Sequence, residues 1–146
     1  HILDELLVFK EPNMNPFVWR VRVYWEDTDA GGVVYHSRYL NFFERARTEW
    51  LRAKGVHQAK LAEEDNALFA IRNMDIEFLQ AARLDDELDV TVHSVDARGV
   101  RMTFCQDMTR CSDGCVVATA KLTAVCLRAD NFKPTRMPKW IRAEIQ

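Results

Sequence analysis

Across Glu26-Asp27-Thr28-Asp29-Ala30-Gly31-Gly32-Val33-Val34-Tyr35-His36, two carboxylates, a glycine pair, a short apolar run and a histidine fall within one loop. A carboxylate can draw a proton from water or attack a carbonyl itself, and histidine is the side chain whose ordinary charge change falls near neutral pH. The residue types therefore suit hydrolysis without a serine or cysteine nucleophile. Asp27 and Asp29 are both candidates for the reactive carboxylate, and His36 for proton transfer or for helix capping. A divalent ion held by Asp27, Asp29 and His36 is the competing reading.

These groups must be carried by what flanks them. Residues 19–25, Trp19-Arg20-Val21-Arg22-Val23-Tyr24-Trp25, alternate with period two, as a strand with one buried face does. Residues 37–54 place Tyr39, Phe42, Phe43, Ala46, Trp50 and Ala53 at helical spacing, with Arg38, Asn41, Arg45, Thr48 and Arg52 opposite. His36 or Ser37 is positioned to cap this helix, and Gly55 falls where a left-handed C-terminal cap belongs. Gly31 and Gly32 let the chain turn sharply before it. The first helical amides lack intrahelical partners and can polarise a carbonyl oxygen. Residues 68–79, 87–95, 100–109 and 115–127 read as strands, with a bulge near Arg72-Asn73 and hairpin turns at Arg98-Gly99 and Ser112-Asp113-Gly114. Strand, long helix and four antiparallel strands make an α+β fold, a sheet curled around one helix.

Composition narrows the function. The chain has 146 residues and a net charge of -2, too little field for a dedicated nucleic-acid or anionic-membrane binder. No apolar run approaches the ~20 residues of a transmembrane helix. Cys105, Cys111, Cys115 and Cys126 match neither a zinc frame nor a small disulfide scaffold, so free thiols in a reducing cytoplasm are expected. Residues 1–18 read as an N-terminal extension and 19–146 as one domain. The start at His rather than Met suggests processing or a vector remnant, with Met14 as a candidate native start.

The string from Val21 to His36, followed by Tyr39-Leu40 and Glu44-Arg45-Ala46-Arg47, resembles the hotdog-fold acyl-CoA thioesterases. Within them it is most similar to the Tol-Pal-associated branch of the 4-hydroxybenzoyl-CoA thioesterase family. Ala81-Ala82-Arg83-Leu84-Asp85-Asp86 and Lys133-Pro134-Thr135-Arg136-Met137-Pro138 extend the likeness. The resemblance implies a hotdog domain of about five strands that joins a second copy into a continuous sheet, as a homodimer or homotetramer. It also implies hydrolysis of acyl-CoA to free acid and coenzyme A with no metal and no cofactor. Asp29 then takes the catalytic position as base or nucleophile, and His36 is a second catalytic group. The backbone amides of Val34, Tyr35 and His36 surround the oxyanion, while Asp27, Thr28, Gly31 and Gly32 support the loop. Tyr35 and Tyr39 border the acyl group, and Phe42, Phe43 and Trp50 read as core. Because superfamily members also include non-catalytic proteins, a module binding acyl carrier protein or envelope and lipid-synthesis proteins is the alternative.

Other groups carry less signal. Coenzyme A phosphates call for cations, for which Arg72, Arg83, Arg98, Arg101 and Lys133 are unassigned candidates. Glu44 reads as a helix-surface or interface carboxylate. Asp85, Asp86, Glu87 and Asp89 read as a solvated strand start, and His57 and His93, with no acidic or cysteine partner at a telling spacing, as structural or exposed.

Overall fold

The computed structural model describes residues 16–145, so most of the expected N-terminal extension lies outside the described residues. Its expected boundary after residue 18 falls inside the first strand, β1 (Phe17–Arg22), which begins earlier than the alternation suggested and stops before Tyr24 and Trp25. A 3-10 turn (Trp25–Asp27) follows, and then a helix, α1 (His36–Ala53). After it come α2 (Gln58–Asp65), β2 (Ala67–Phe78), β3 (Glu87–Arg98), β4 (Arg101–Arg110), β5 (Val116–Arg128) and α3 (Lys139–Ile145).

The five strands form one antiparallel sheet in the order β1-β3-β4-β5-β2. The expected bulge is present, as the β2–β5 register shifts between Ile71 and Asn73. A second shift lies in β3 between Val92 and Ser94. Gly99 and Gly114 have φ of 60° and 74° in the two hairpin turns, the left-handed region that a side chain disfavours.

Helix α1 forms because its apolar stripe has a sheet to cover. Phe42 and Phe43 are fully buried in one core with Leu88, Val90, Met102, Met108 and Leu122. Three positions depart from the helical pattern: Ala53 is exposed, and Leu51 and Arg47 are buried instead. Gly55, with φ of 85°, ends the helix, and the Val56 N–H reaches back to the Leu51 carbonyl at 2.9 Å. At the start, Tyr35 is the N-cap and makes no side-chain cap bond, so neither His36 nor Ser37 caps the helix. The expectation of a single helix also needs correction. α2 buries only Leu61 and α3 only Ile141, and helices this short offer too few apolar positions to reveal a period. Among the described residues, no helix is long and apolar enough to cross a membrane.

Candidate active site

The loop between β1 and α1 is held by its own short side chains. The Asp27 carboxylate, 4% exposed, accepts from the Tyr24 N–H at 2.9 Å and lies 3.8 Å from the Arg38 guanidinium. Thr28 donates its hydroxyl to the Trp25 carbonyl at 2.8 Å. Such local bonds are what Asp and Thr favour in turns. With both oxygens of Asp27 turned to these partners, Asp27, Asp29 and His36 do not form a ligand set. Among the described residues, no group of three or more His, Cys, Asp or Glu is gathered closely enough to hold a metal ion.

Asp29 opens a tight hairpin. Its N–H donates to the Val33 carbonyl and its carbonyl accepts from the Gly32 N–H, both at 3.0 Å. Gly32 has φ of 75°, which supplies the left-handed step. The exposed Asp29 side chain accepts from the Gly31 N–H through Oδ1 at 2.8 Å, so one oxygen is fixed in an Asx turn. A β-carbon on Gly31 would stand 3.2 Å from that oxygen, tight enough that the Asp29 carboxylate would have to shift by a few tenths of an ångström to admit one.

The three amides expected around an oxyanion are not equivalent. The Val34 N–H donates to the Ala82 carbonyl at 2.8 Å and the Tyr35 N–H to the Asp27 carbonyl at 2.9 Å. Both are occupied by the scaffold, which leaves the His36 N–H, at the first turn of α1, as the donor of the three without such an acceptor among the described residues. His36 and Tyr35 are exposed, with ring centroids 4.4 Å apart. Tyr24 and Trp25 add exposed aromatic surface beside the loop.

Behind the loop lies a segment whose role the sequence did not disclose. Val33 bridges to Arg83, and the Ala82 N–H donates to the Tyr39 hydroxyl at 3.0 Å. Tyr39 is therefore a core residue, 4% exposed, with its ring edge on Phe78, rather than an open pocket wall. Asp86 accepts from the Arg83 N–H at 2.9 Å, and its carbonyl accepts from Val23. Asp89 is bound by Arg20 at 2.8 Å, and that hydrogen bond holds its carboxyl below the usual range. The acidic run is thus engaged rather than merely solvated. Of the five candidate cations, Arg83 adjoins the loop, whereas Arg72 sits at the β2 bulge, Arg98 and Arg101 at the β3–β4 hairpin and Lys133 after β5. Of the two histidines expected to be structural or exposed, His57 is exposed and His93 is structural, buried and paired with Asp107 on the neighbouring strand, a partner that its spacing does not reveal.

Residues 23–145 match the sequence family described as the Thioesterase-like superfamily. This chain belongs to that superfamily. Within it, the chain is 42% identical over 129 residues to the acyl-CoA thioesterase YbgC of Haemophilus influenzae, covering 88% of this chain and 93% of that protein. It is 42% identical over 134 residues to the acyl-CoA thioester hydrolase YbgC of Escherichia coli O157:H7, covering 92% and 98%. Among solved structures, a probable thioesterase from Bartonella henselae is 34% identical with a TM-score of 0.78, covering 85% of this chain and all of that one. A 1,4-dihydroxy-2-naphthoyl-CoA thioesterase from Synechocystis superposes with a TM-score of 0.82 over 90% and 96% of the two chains, at 21% identity, and so shares the fold. The superfamily member has the hotdog thioesterase architecture, with two short helices added to the long one.

Proposed function

We propose that Asp29 is the general base or nucleophile by which this protein hydrolyses an acyl-CoA thioester to a free acid and coenzyme A. The enzyme class follows from the family and from relatives 42% identical over about nine-tenths of the chain: the protein is a thioester hydrolase acting on acyl-CoA. The observation supporting Asp29 is the hairpin, which presents an exposed carboxylate on the same loop that delivers the unbonded His36 N–H. In the base route, Asp29 takes a proton from water, hydroxide adds to the thioester carbon and the oxyanion is met by the His36 N–H. Collapse expels coenzyme A thiolate, which takes up the proton that Asp29 removed from water, passed directly or relayed through the His36 imidazole. In the nucleophile route, Asp29 adds to the thioester carbon, coenzyme A thiolate leaves, and water opens the resulting mixed anhydride to the free acid and regenerated Asp29.

No metal or cofactor enters this scheme, and coenzyme A is part of the substrate. Tyr35, half exposed at the loop, borders the acyl-CoA, and Arg83, exposed and bridged through its backbone to Val33, is the candidate cation nearest the loop for its phosphates. The single domain works as a homodimer or homotetramer. β2 supports this as a sheet edge with half-exposed Ile71 and Phe78, a surface suited to pairing with a second copy. Likeness of the loop to the Tol-Pal-associated branch, and four cysteines all free, support a cytoplasmic member of that branch.

Free-thiol release from acyl-CoA esters of rising chain length and from benzoyl-CoA, compared between wild type and Asp29→Asn, tests the reading. Asn keeps the Oδ1 acceptor for the Gly31 N–H, so the loop survives while the base is lost. Turnover should fall at least about a hundredfold. Equal turnover in the variant removes Asp29 from the mechanism.

A further inference from the structure

The segment that braces the active-site loop, residues 79–86 between β2 and β3, lies outside every helix and named strand, yet two of its consecutive peptide groups are each held at both ends. In the first, the Ala81 carbonyl accepts from Arg110 Nη1 at 2.9 Å and the Ala82 N–H donates to the Tyr39 hydroxyl at 3.0 Å. In the second, the Ala82 carbonyl accepts the Val34 N–H at 2.8 Å and the Arg83 N–H donates to Asp86 Oδ2 at 2.9 Å. A peptide group is planar, so a partner at each end fixes the direction of the whole unit.

Arg110 reaches both groups. It closes β4 at the hairpin to β5, and the Nη1 that holds the Ala81 carbonyl stands 4.0 Å from Asp86 Oδ2. Nε and Nη2 take the two oxygens of Asp113 in the hairpin turn at 3.0 and 2.9 Å, and Asp113 Oδ1 also accepts the Cys115 N–H at 3.1 Å. A two-pronged pair of this kind fixes the plane of the guanidinium as well as its place, which an ammonium cannot do. The hairpin thereby aims one N–H group at a carbonyl 29 residues away in the chain.

Stability does not account for this placement. Ala81 is exposed, so water can replace a lost donor on its carbonyl, and an ion pair with half-exposed Asp113 contributes little to folding. Direction is what water cannot replace. The Ala82 carbonyl holds Val34, and the Asp29 N–H is bonded to the neighbouring Val33 carbonyl, so the set of the two peptide groups passes to the Asp29 hairpin and to the start of α1.

We propose that Arg110 is a positioning residue for the hydrolysis: through the Ala81–Ala82 and Ala82–Arg83 peptide groups it sets where the Asp29 carboxylate and the His36 N–H stand, without touching the substrate. This role rests on the reading of Asp29 and the His36 N–H as the working groups.

Thiol-release kinetics, thermal unfolding and backbone amide spectra of 15N-labelled protein are compared for wild type, Arg110→Met and Arg110→Lys. Methionine keeps the apolar stem and removes every donor. Its kcat should fall about tenfold or more with KM within about twofold, and the amide signals of Gly31, Gly32, Val34 and His36 should move. The melting temperature should drop by no more than about 4 °C. Lysine restores the charge but holds Ala81 or Asp113 rather than both, so its kcat should lie between those of Arg110→Met and wild type. Should Arg110→Met fail to fold, Arg110→Lys alone should still lose about threefold in kcat with displaced loop amides. Arg128→Met removes a like clamp on Asp130 at the far end of β5 and should leave kcat unchanged. Wild-type kcat in both Arg110 variants, loop amides that stay in place, or an equal loss of kcat in Arg128→Met overturns the proposal. Wild-type turnover in Asp29→Asn, a protein with Arg110 intact, is the separate signature of a failed reading of the loop.

Discussion

Replacing Tyr39 by Phe removes one oxygen atom, yet the geometry makes that atom the support of the whole loop. The hydroxyl accepts the Ala82 N–H at 3.0 Å, in a position 4% exposed for Tyr39 and fully buried for Ala82. Phenylalanine keeps the ring contact with Phe78 and leaves the amide without an acceptor. An unsatisfied buried donor costs about 1–3 kcal/mol, and at about 3 °C per kcal/mol for a chain of this size the melting temperature should fall about 3–9 °C. A second consequence concerns turnover, because the Ala82 carbonyl receives the Val34 N–H at 2.8 Å and so fixes the loop segment between Asp29 and His36. Displacement of that segment by a fraction of an ångström should lower kcat about tenfold or more while KM changes little. Thermal unfolding and thiol-release kinetics on the same preparation measure both. A Tyr39→Phe protein that melts with wild type and turns over at the same rate would refute the chain of support from Tyr39 through Ala82 to the loop.

Two further perturbations separate the loop's chemistry from the fold's stability. Gly31→Ala places a β-carbon 3.2 Å from the Asp29 Oδ1 at an exposed position, so kcat should drop by about tenfold or more while the melting temperature moves by no more than about 2 °C. An unaltered kcat would mean that the Asx turn does not set the working position of the carboxylate. At the β4–β5 hairpin, hydrogen bonds from Arg110 at 3.0 and 2.9 Å hold the Asp113 carboxyl down at about 2. A depressed carboxyl contributes stability that is present above its ordinary value near 4 and is lost as pH falls toward about 2. Acid unfolding of Asp113→Asn should therefore lack part of the wild-type loss between pH 4 and pH 2; identical acid profiles would show that the exposed pair contributes nothing.

Legibility of this molecule from sequence ends where distant chain segments decide what a residue does. Helix α1 and the Arg72 bulge are written in local period and parity, and the structure reproduces them. Arg47 could not be placed by the same means. It belongs to a helix where Arg45 and Arg52 face water and Arg38 is half exposed, and it is anchored by Gln106, 59 residues away on β4. The His93–Asp107 pair has the same origin: a register shift between Val92 and Ser94 turns His93 inward toward a strand partner that no spacing announces. Short helices α2 and α3 each show one buried residue, too little for a pattern.

The candidate site follows the same division. Asp29, Gly31, Gly32 and His36 are contiguous, so their conjunction is visible as a string. Which amide remains to meet an oxyanion is not, because the answer lies in what Ala82 and Asp27 have already taken. Backbone donors are spent first on scaffold, since an unpaired buried N–H is costly, and only those at a helix start are left for a substrate. That ordering explains why the loop is bonded on both sides by Val34 and Tyr35 and open at the next residue. It also makes the free amide a consequence of the fold rather than of any side chain, so substitution of the His36 imidazole should leave the proposed oxyanion donor in place, and thiol-release kinetics of His36→Ala should report only the proton transfer proposed for the ring.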